Sequence, residues 1–594
     1  MTPSLKISQN IVNRLSGGKH SYFGKVYGIL AKNNLVVLGL QVEIDGGDGN
    51  DLVNSFPAEI YLCGIIIIGD GNYDEQTIKS SLNEVYVTDN PVFINYKLET
   101  EEITTHFFVN GQLEKTNFAV ISEQEILSQF LHIHLKADVP LTCEFSANAI
   151  KESFTNLRKI VASGVMSFGF KKSNLYLLGS DNDNGVVGIT GNPSIGELCD
   201  ESNEPSEGGA RRKKIQNYDL DVMKVNMLKK VTKENGVVGG KEHAPLCVLD
   251  KSKQATMQSQ ILTTEIAEQC KTMSIMVPID ALTMVHRQTK IASLYGIIVE
   301  SAVRHLRLLE KTFLASLGPP EDKCSQPETF HFYPQECGHF ITKIYLKNDV
   351  SERNKLHQEL LLSQMKPFFR RANNFIFKTK SQGGEILINP HEGLKPSDNG
   401  GKISLIKGKY SYYHYCQNKM DDNGWGCAYR SLQTLASWFK LQGYTDKDVP
   451  TFSDIQKCLV DIGDKPENFV GSKQWIGSTE VGFVLNTLLG ITSKILYVSS
   501  GEEMATKGPE LVSHFENHGS PVMIGGGVLA HTILGVDYNS QSGNLKFLIL
   551  DPHYTGNEDL HTVQSKGWCG WKSVDFWDKT AYYNMCLPQV PIGI

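Results

Sequence analysis

The feature that most constrains this 594-residue chain is the stretch Asp421-Asp422-Asn423-Gly424-Trp425-Gly426-Cys427-Ala428-Tyr429-Arg430 and the pattern that follows it. Ala428, Leu432, Leu435, Ala436 and Phe439 fall at helical spacing, so a buried stripe is expected from the residue after Cys427. Gly424 and Gly426 disfavour helix and permit a tight turn with close backbone approach. Together they place a cysteine at the first turn of a helix, behind a glycine-rich bend. Free N–H groups and partial positive charge at a helix N-terminus favour thiolate over thiol and can stabilise an oxyanion. That is a nucleophile's position. A buried cysteine packed at the start of a core helix is the plainer alternative, and the glycines and Trp425 weigh against it.

A thiol nucleophile needs a base, and the base needs an orienting partner. Two histidines compete. His553 stands two residues after Asp551, and extended residues i and i+2 face the same way. Pro552 between them pushes Asp551 into the extended region. His531 follows Gly525-Gly526-Gly527 at the start of a strand pattern and could also pair with Asp551. Spacing favours His553 and leaves His531 open. The Cys427 N–H offers one oxyanion donor; Tyr415, in Tyr412-Tyr413-His414-Tyr415-Cys416, offers a phenol from a strand expected before the turn.

Length implies several domains. Residues 1–180 read as an α+β region, with strands over Val36–Val42, Ile60–Ile68 and Val92–Tyr96 and helices over Gln76–Asn83 and Glu123–Leu131. His132-Ile133-His134 suggests a metal pair, but no carboxylate follows at a convincing distance, so it reads as the polar face of a strand. Residues 181–245 are too polar and glycine-rich for a core and read as a flexible linker or inserted loop, with Arg211-Arg212-Lys213-Lys214 as a solvated basic cluster. Residues 246–403 continue the N-terminal region. Here a long amphipathic helix runs through Leu294, Ile298, Ala302, Leu306, Leu309 and Phe313 and stops at Gly318-Pro319-Pro320. A strand over His339–Leu346 and a helix over Glu352–Lys366 follow. Residues 404–594 hold all six tryptophans and should pack most firmly. Helices from Cys427, near Ser453–Ile462 and near Glu480–Leu489 precede strands over Ile495–Val498, Val522–Gly525, Thr532–Val536 and Leu545–Leu550. Helices first and strands after make a papain-like α+β layout.

A net charge of −7 and 21% charged residues give no sign of nucleic acid as a partner. The longest apolar run, Ile60–Ile68, is of strand length, so no membrane span is expected, and no signal peptide is visible. Twelve cysteines without CxxC pairs read as reduced cytoplasmic thiols. No metal or other cofactor is expected.

Asn423 to Thr434, with Leu550-Asp551-Pro552-His553-Tyr554-Thr555-Gly556, resembles the cysteine proteases specific for the ubiquitin-fold modifier. Gly525–Thr532 and Gly567-Trp568-Cys569-Gly570-Trp571 match as well. Gly338-His339-Phe340-Ile341 and Arg370-Arg371-Ala372-Asn373 point to the long, type 2 form, so the likeness runs from about residue 328 onward. The resemblance implies a papain-like fold with Cys427 as nucleophile, Asp551 and His553 as acid–base pair and Tyr415 in the oxyanion hole. It further implies trimming of the modifier's precursor to a Val-Gly end and cleavage of its isopeptide bonds to lysine. Trp425, Trp475, Gly526 and His531 are then expected around the substrate tail. The long form implies a membrane-anchored partner at the cytosolic face of the endoplasmic reticulum, and for residues 1–180 only a faint likeness to an MPN-type fold. Two other readings stay open. One is an adaptor acting through the N-terminal region. The other is an autophagy-type protease, whose arrangement around the cysteine and the Asp-Pro-His box is similar.

Overall fold

A computed structural model describes residues 2–16, 20–44, 52–71, 74–85, 88–144, 146–171, 175–179, 185–201, 222–229, 272–315, 327–345, 350–364, 366–375, 377 and 386–591. The chain forms two compact units: residues 1–363 with 374–377, and residues 364–373 with 378–594. The expected helix stop at Gly318-Pro319-Pro320 and the basic cluster at Arg211–Lys214 lie outside the described residues, as does most of 181–245. Within that last segment, Gly185–Val187 and Val222–Lys229 are strands.

The N-terminal unit is built on two large sheets and a two-stranded one, Glu328–Phe332 with Ile341–Tyr345. Eight strands form one mixed sheet, with Tyr61–Ile68 inside it between an antiparallel and a parallel neighbour. A strand flanked on both sides and covered on both faces reads as an unbroken apolar run, and Cys63 to Ile68 are all buried. The second sheet has six strands and is dominated by Phe130–Glu144 and Thr272–His286, paired antiparallel over fifteen positions. The helix Leu294–Ala315 is the long amphipathic helix read from the spacing, and it buries Leu294, Ile298, Ala302, Leu306, Leu309 and Phe313. Beside it packs Ala147–Ala162, whose Ile150, Phe154, Leu157 and Val161 form a second inward stripe. The helix expected over Glu352–Lys366 is shorter, Val350–Glu359. His132 and His134, expected on a polar strand face, are instead 2% exposed.

The C-terminal unit places the helix Cys427–Leu441 against a seven-stranded antiparallel sheet. In space the main path runs Ser493–Val498, Tyr583–Pro588, Val522–Gly526, Leu529–Tyr538, Leu545–Leu550 and Cys569–Ser573. Lys402–Leu405 pairs at Leu529–Tyr538. Helices Phe452–Asp461 and Ser478–Leu489 cover the helical side. The stripe expected on the central helix is in fact a full wrap, since Cys427 through Phe439 are all buried. Several of its polar residues are partnered inside the core: Gln433 donates to the Pro450 carbonyl and Thr434 accepts from the Tyr413 N–H. Arg370 and Asn373 donate to the carbonyls of Gly443, Tyr444 and Gln442, just beyond the C-terminal end of that helix.

Candidate active site

The turn before Cys427 is held by Asp422, which is fully buried. Its carbonyl accepts the N–H groups of Trp425 (3.2 Å) and Gly426 (2.9 Å). Its carboxylate accepts the Cys416 N–H at 2.8 Å and the Arg430 Nε at 2.7 Å. Gly424 takes φ +82°, and a Cβ on Gly426 would lie 2.5 Å from the Asp422 carboxylate, so both glycines are required by the bend. Arg430, one turn after Cys427, also donates to the Gln417 carbonyl and lies over the Phe452 ring. This buried pair ties the segment that carries Tyr415 to the start of the helix. Removing one partner of such a pair typically costs about 3–5 kcal/mol, because the other charge is left uncompensated.

Tyr415 does not lie in a strand. It stands in an extended segment that ends in a turn, where Cys416 adopts φ +62°. Its N–H donates to the Pro552 carbonyl at 2.9 Å, which pins the phenol beside the Asp-Pro-His segment. The Tyr415 ring meets His553 edge-on at 5.2 Å, and its hydroxyl hydrogen-bonds the Cys427 thiol. Burial, then the charge of Cys427, hold this phenol well above its usual pKa, so it stays protonated and able to donate.

His553 and Asp551 face each other as their i, i+2 spacing requires. The Asp551 Oδ1 accepts from His553 Nδ1 at 2.6 Å and from the His553 backbone N–H at 3.0 Å. His553 Nε2 is buried with no hydrogen-bond partner in the resting geometry, and Cys427 is the group beside it that acts on its charge. Burial alone would lower the His553 pKa, but the Asp551 hydrogen bond and the Cys427 contact outweigh it and raise it to about 9. Burial would likewise raise the Cys427 pKa. Hydrogen bonds from His553, Tyr415 and the Ala530 backbone N–H reverse that and lower it. The pair is therefore poised as thiolate and imidazolium.

His531 sits on the other side of the same carboxylate, its Nε2 3.9 Å from Asp551 Oδ2. Burial lowers its pKa to about 4, so it is neutral where His553 is charged. It packs against Phe576 and Trp577. A cleft of ≈ 480 Å³ opens at Cys427, lined by Trp425, Trp475, Gly525–Gly527 and Tyr582 among others; His531 is not in its lining. The Trp475 indole donates to the Gly424 carbonyl at 3.3 Å, and the side chain is 54% exposed at the rim. A Cβ on Gly526 would meet the Tyr583 ring at 2.1 Å, so glycine there serves the strand packing.

Sequence reasoning missed three contributors. The Ala530 N–H is a backbone donor and carries no residue signature. Asp422 and Arg430 lay within the quoted motif, and their charges, flanking a turn that had to be buried, were the available signal. Glu558 was the third: its carboxylate accepts from Gln417 (2.6 Å), contacts His414 (3.2 Å) and accepts the Leu387 N–H (3.2 Å), bracing the Tyr415 segment from behind.

A thiol–imidazole–carboxylate row at the start of a helix, facing a strand that offers an amide, defines a cysteine-type protease. Family models agree along the chain. Peptidase family C78 matches residues 401–586, the insect UFM1-specific protease N-terminal MPN-like domain 1–126, and the Ubiquitin-fold modifier 1 specific protease 2 N-terminal family 151–382. The probable Ufm1-specific protease 2 of Drosophila melanogaster is 37% identical over 625 residues, spanning 100% of both chains. Ufm1-specific protease 2 of Homo sapiens is 48% identical over 320 residues, 53% of this chain and 68% of that one. The crystal structure of UfSP from C. elegans superposes with a TM-score of 0.65 at 26% identity, covering 100% of each chain. The chain belongs to the Ufm1-specific protease 2 family.

Proposed function

We propose that this protein matures the ubiquitin-fold modifier and removes it from lysines of target proteins, with Cys427 as nucleophile and His553 as general acid and base. The observation that carries the reading is the Cys427–His553–Asp551 row beside a cleft lined by Cys427 and Gly525–Gly527, where the absence of side chains leaves room for a peptide tail. The thiolate of Cys427 attacks the carbonyl of the terminal glycine. The developing oxyanion is met by the Tyr415 hydroxyl and the Cys427 N–H. His553 protonates the leaving amine, an α-amine in the precursor and a lysine Nζ in a conjugate, and a thioester remains. His553, now neutral, takes a proton from water; hydroxide adds to the thioester, and Cys427 leaves as thiolate. Asp551 holds Nδ1–H throughout, so that Nε2 faces the sulfur.

The test uses the full chain with fluorogenic reporters of the modifier ending in Val-Gly, of ubiquitin and of an autophagy modifier. Only the first is expected to be cleaved, with a loss of at least about 10³-fold for Cys427→Ala or His553→Ala and a modest loss for His531→Ala. An inactive His531→Ala with an active His553→Ala would reassign the base. A folded protein that cleaves none of the three would favour the adaptor reading.

The adaptor role is compatible with the enzyme. Residues 1–363 have a core of their own and contribute none of the residues assigned to catalysis. Among the described residues no helix is long and apolar enough to cross a membrane. Docking at the cytosolic face of the endoplasmic reticulum through a membrane-anchored protein is the reading the long form suggests. Fractionation of Cys427→Ser with endoplasmic reticulum membranes, lost when residues 1–363 are removed, is the expected result.

A further inference from the structure

The His132-Ile133-His134 motif found no carboxylate near it in the chain; the fold brings one. In the fifteen-position pairing of Phe130–Glu144 with Thr272–His286, Asp280 stands opposite Lys136 and Leu282 opposite His134. Opposed residues share a sheet face, as do residues i and i+2, so His134, Lys136 and Asp280 stand together. A separate antiparallel pair, Glu328–Phe332 with Ile341–Tyr345, sets His331 opposite Thr342. His331 reaches the same carboxylate. Asp280 Oδ1 lies 2.5 Å from His134 Nε2 and 2.8 Å from His331 Nε2, while Lys136 Nζ lies 3.1 Å from Oδ2. The two imidazoles are 2% and 3% exposed, with the Phe377 ring against both, and Asp280 keeps a 20% exposed edge as an entry.

We propose that His134, Asp280 and His331 form a site for one divalent cation of the zinc class. Two imidazole nitrogens and a carboxylate oxygen, all within 4.8 Å of one another, make the donor set such ions take in preference to magnesium or calcium. With bonds of roughly 2.0–2.2 Å, ligand atoms in a tetrahedral site stand about 3.4 Å apart, so the cluster needs to open by less than ~1 Å. The outer nitrogen of His331 is already held: Nδ1 lies 2.9 Å from the buried Thr342 hydroxyl. With a metal on Nε2, Nδ1–H would donate to that hydroxyl, the support that metal-bound histidines require. Lys136 occupies Oδ2 and leaves Oδ1 as a monodentate ligand. His305 lies in the same buried region: Nε2 contacts Thr329 at 2.9 Å, and Nδ1 has no partner. Three protein ligands leave one position for water or an exogenous donor.

Among the described residues the other group of this kind is His531, Asp551 and His553, at the thiol. The test therefore uses the full chain carrying Cys427→Ser and His553→Ala, incubated with zinc chloride and desalted. One zinc per chain is expected, and cobalt(II) in its place should give the visible bands of a four-coordinate site. His331→Gln or Asp280→Asn should weaken zinc binding by at least about 100-fold. Thr342→Val, which keeps all three ligands and separates metal loss from misfolding, should cost about 10- to 100-fold. Equal zinc in every variant would place the ion elsewhere and overturn the proposal. No zinc in the Cys427→Ser, His553→Ala chain, or equal retention of magnesium, would leave Asp280 as a shared hydrogen-bond acceptor only.

Discussion

Two clusters in this molecule use nearly the same side chains. In one, Asp551 orients His553 against a thiol; in the other, Asp280 takes contacts from His134 and His331. Yet the histidines move in opposite directions. His553 rises to about 9, while His134 is held below its usual value. Both are penalised by burial and both have a carboxylate partner, so the carboxylate does not decide the outcome. What differs is the third member. Cys427 can become an anion and stabilises imidazolium, whereas His331 is a second imidazole and disfavours charge on its neighbour. One arrangement stores a proton for transfer; the other shares a single carboxylate between two rings.

The contrast can be broken most sharply with matched substitutions at the two carboxylates. Asp551→Asn should lower kcat/KM by up to about 10⁴-fold, since the amide no longer holds His553 in the productive tautomer. Asp280→Asn should leave cleavage of the same reporter unchanged; loss of activity there would couple the two clusters. The next effect is Tyr415→Phe, expected to cost about 10²–10³-fold in kcat if the hydroxyl meets the oxyanion. The change should fall on kcat far more than on KM.

A finer test is the pH profile. Activity requires the thiolate and the protonated His553 together, so it should decline as pH rises through about 9, roughly tenfold per unit on that limb. The acid limb should lie below the ordinary cysteine pKa, because Cys427 is lowered. The same shift bears on stability. A histidine raised in the folded state adds stability that is fully present below its unfolded pKa of about 6.5 and is lost as pH rises through about 9. A profile centred on an unshifted histidine would show that the thiol does not hold the imidazolium.

The catalytic cluster was largely legible because its information is local. A glycine bend, a cysteine at a helix start and an Asp-Pro-His triplet each declare their geometry within a few residues. The choice between His553 and His531 was not settled by spacing, since both reach Asp551; it turns on which ring faces the sulfur. The second cluster was illegible for the opposite reason. Its members come from three strands far apart in the chain, and the visible motif alone reads as a polar face. Both histidines of that motif are buried, because Phe130–Glu144 has strands on each side and every residue from Phe130 to Leu135 is inside. The strand expected at Tyr415 gives way to a turn, because the backbone at Cys416 swings round to donate its N–H to Asp422. The strand Tyr583–Pro588 was not anticipated. Asn584 and Pro588 obscure its pattern, and only its two neighbours make it a strand.

That strand bears on how the enzyme comes into being. Tyr583–Pro588, last in sequence among the described strands, lies between Ser493–Val498 and Val522–Gly526. Until it inserts, Ser493–Val498 has no partner strand and Val522–Gly526 exposes an open edge. Such long-range closure is slow relative to local helix formation. The cleft at Cys427 is therefore completed by the end of the chain in space as well as in sequence, since Ala581, Tyr582 and Asn584 line it.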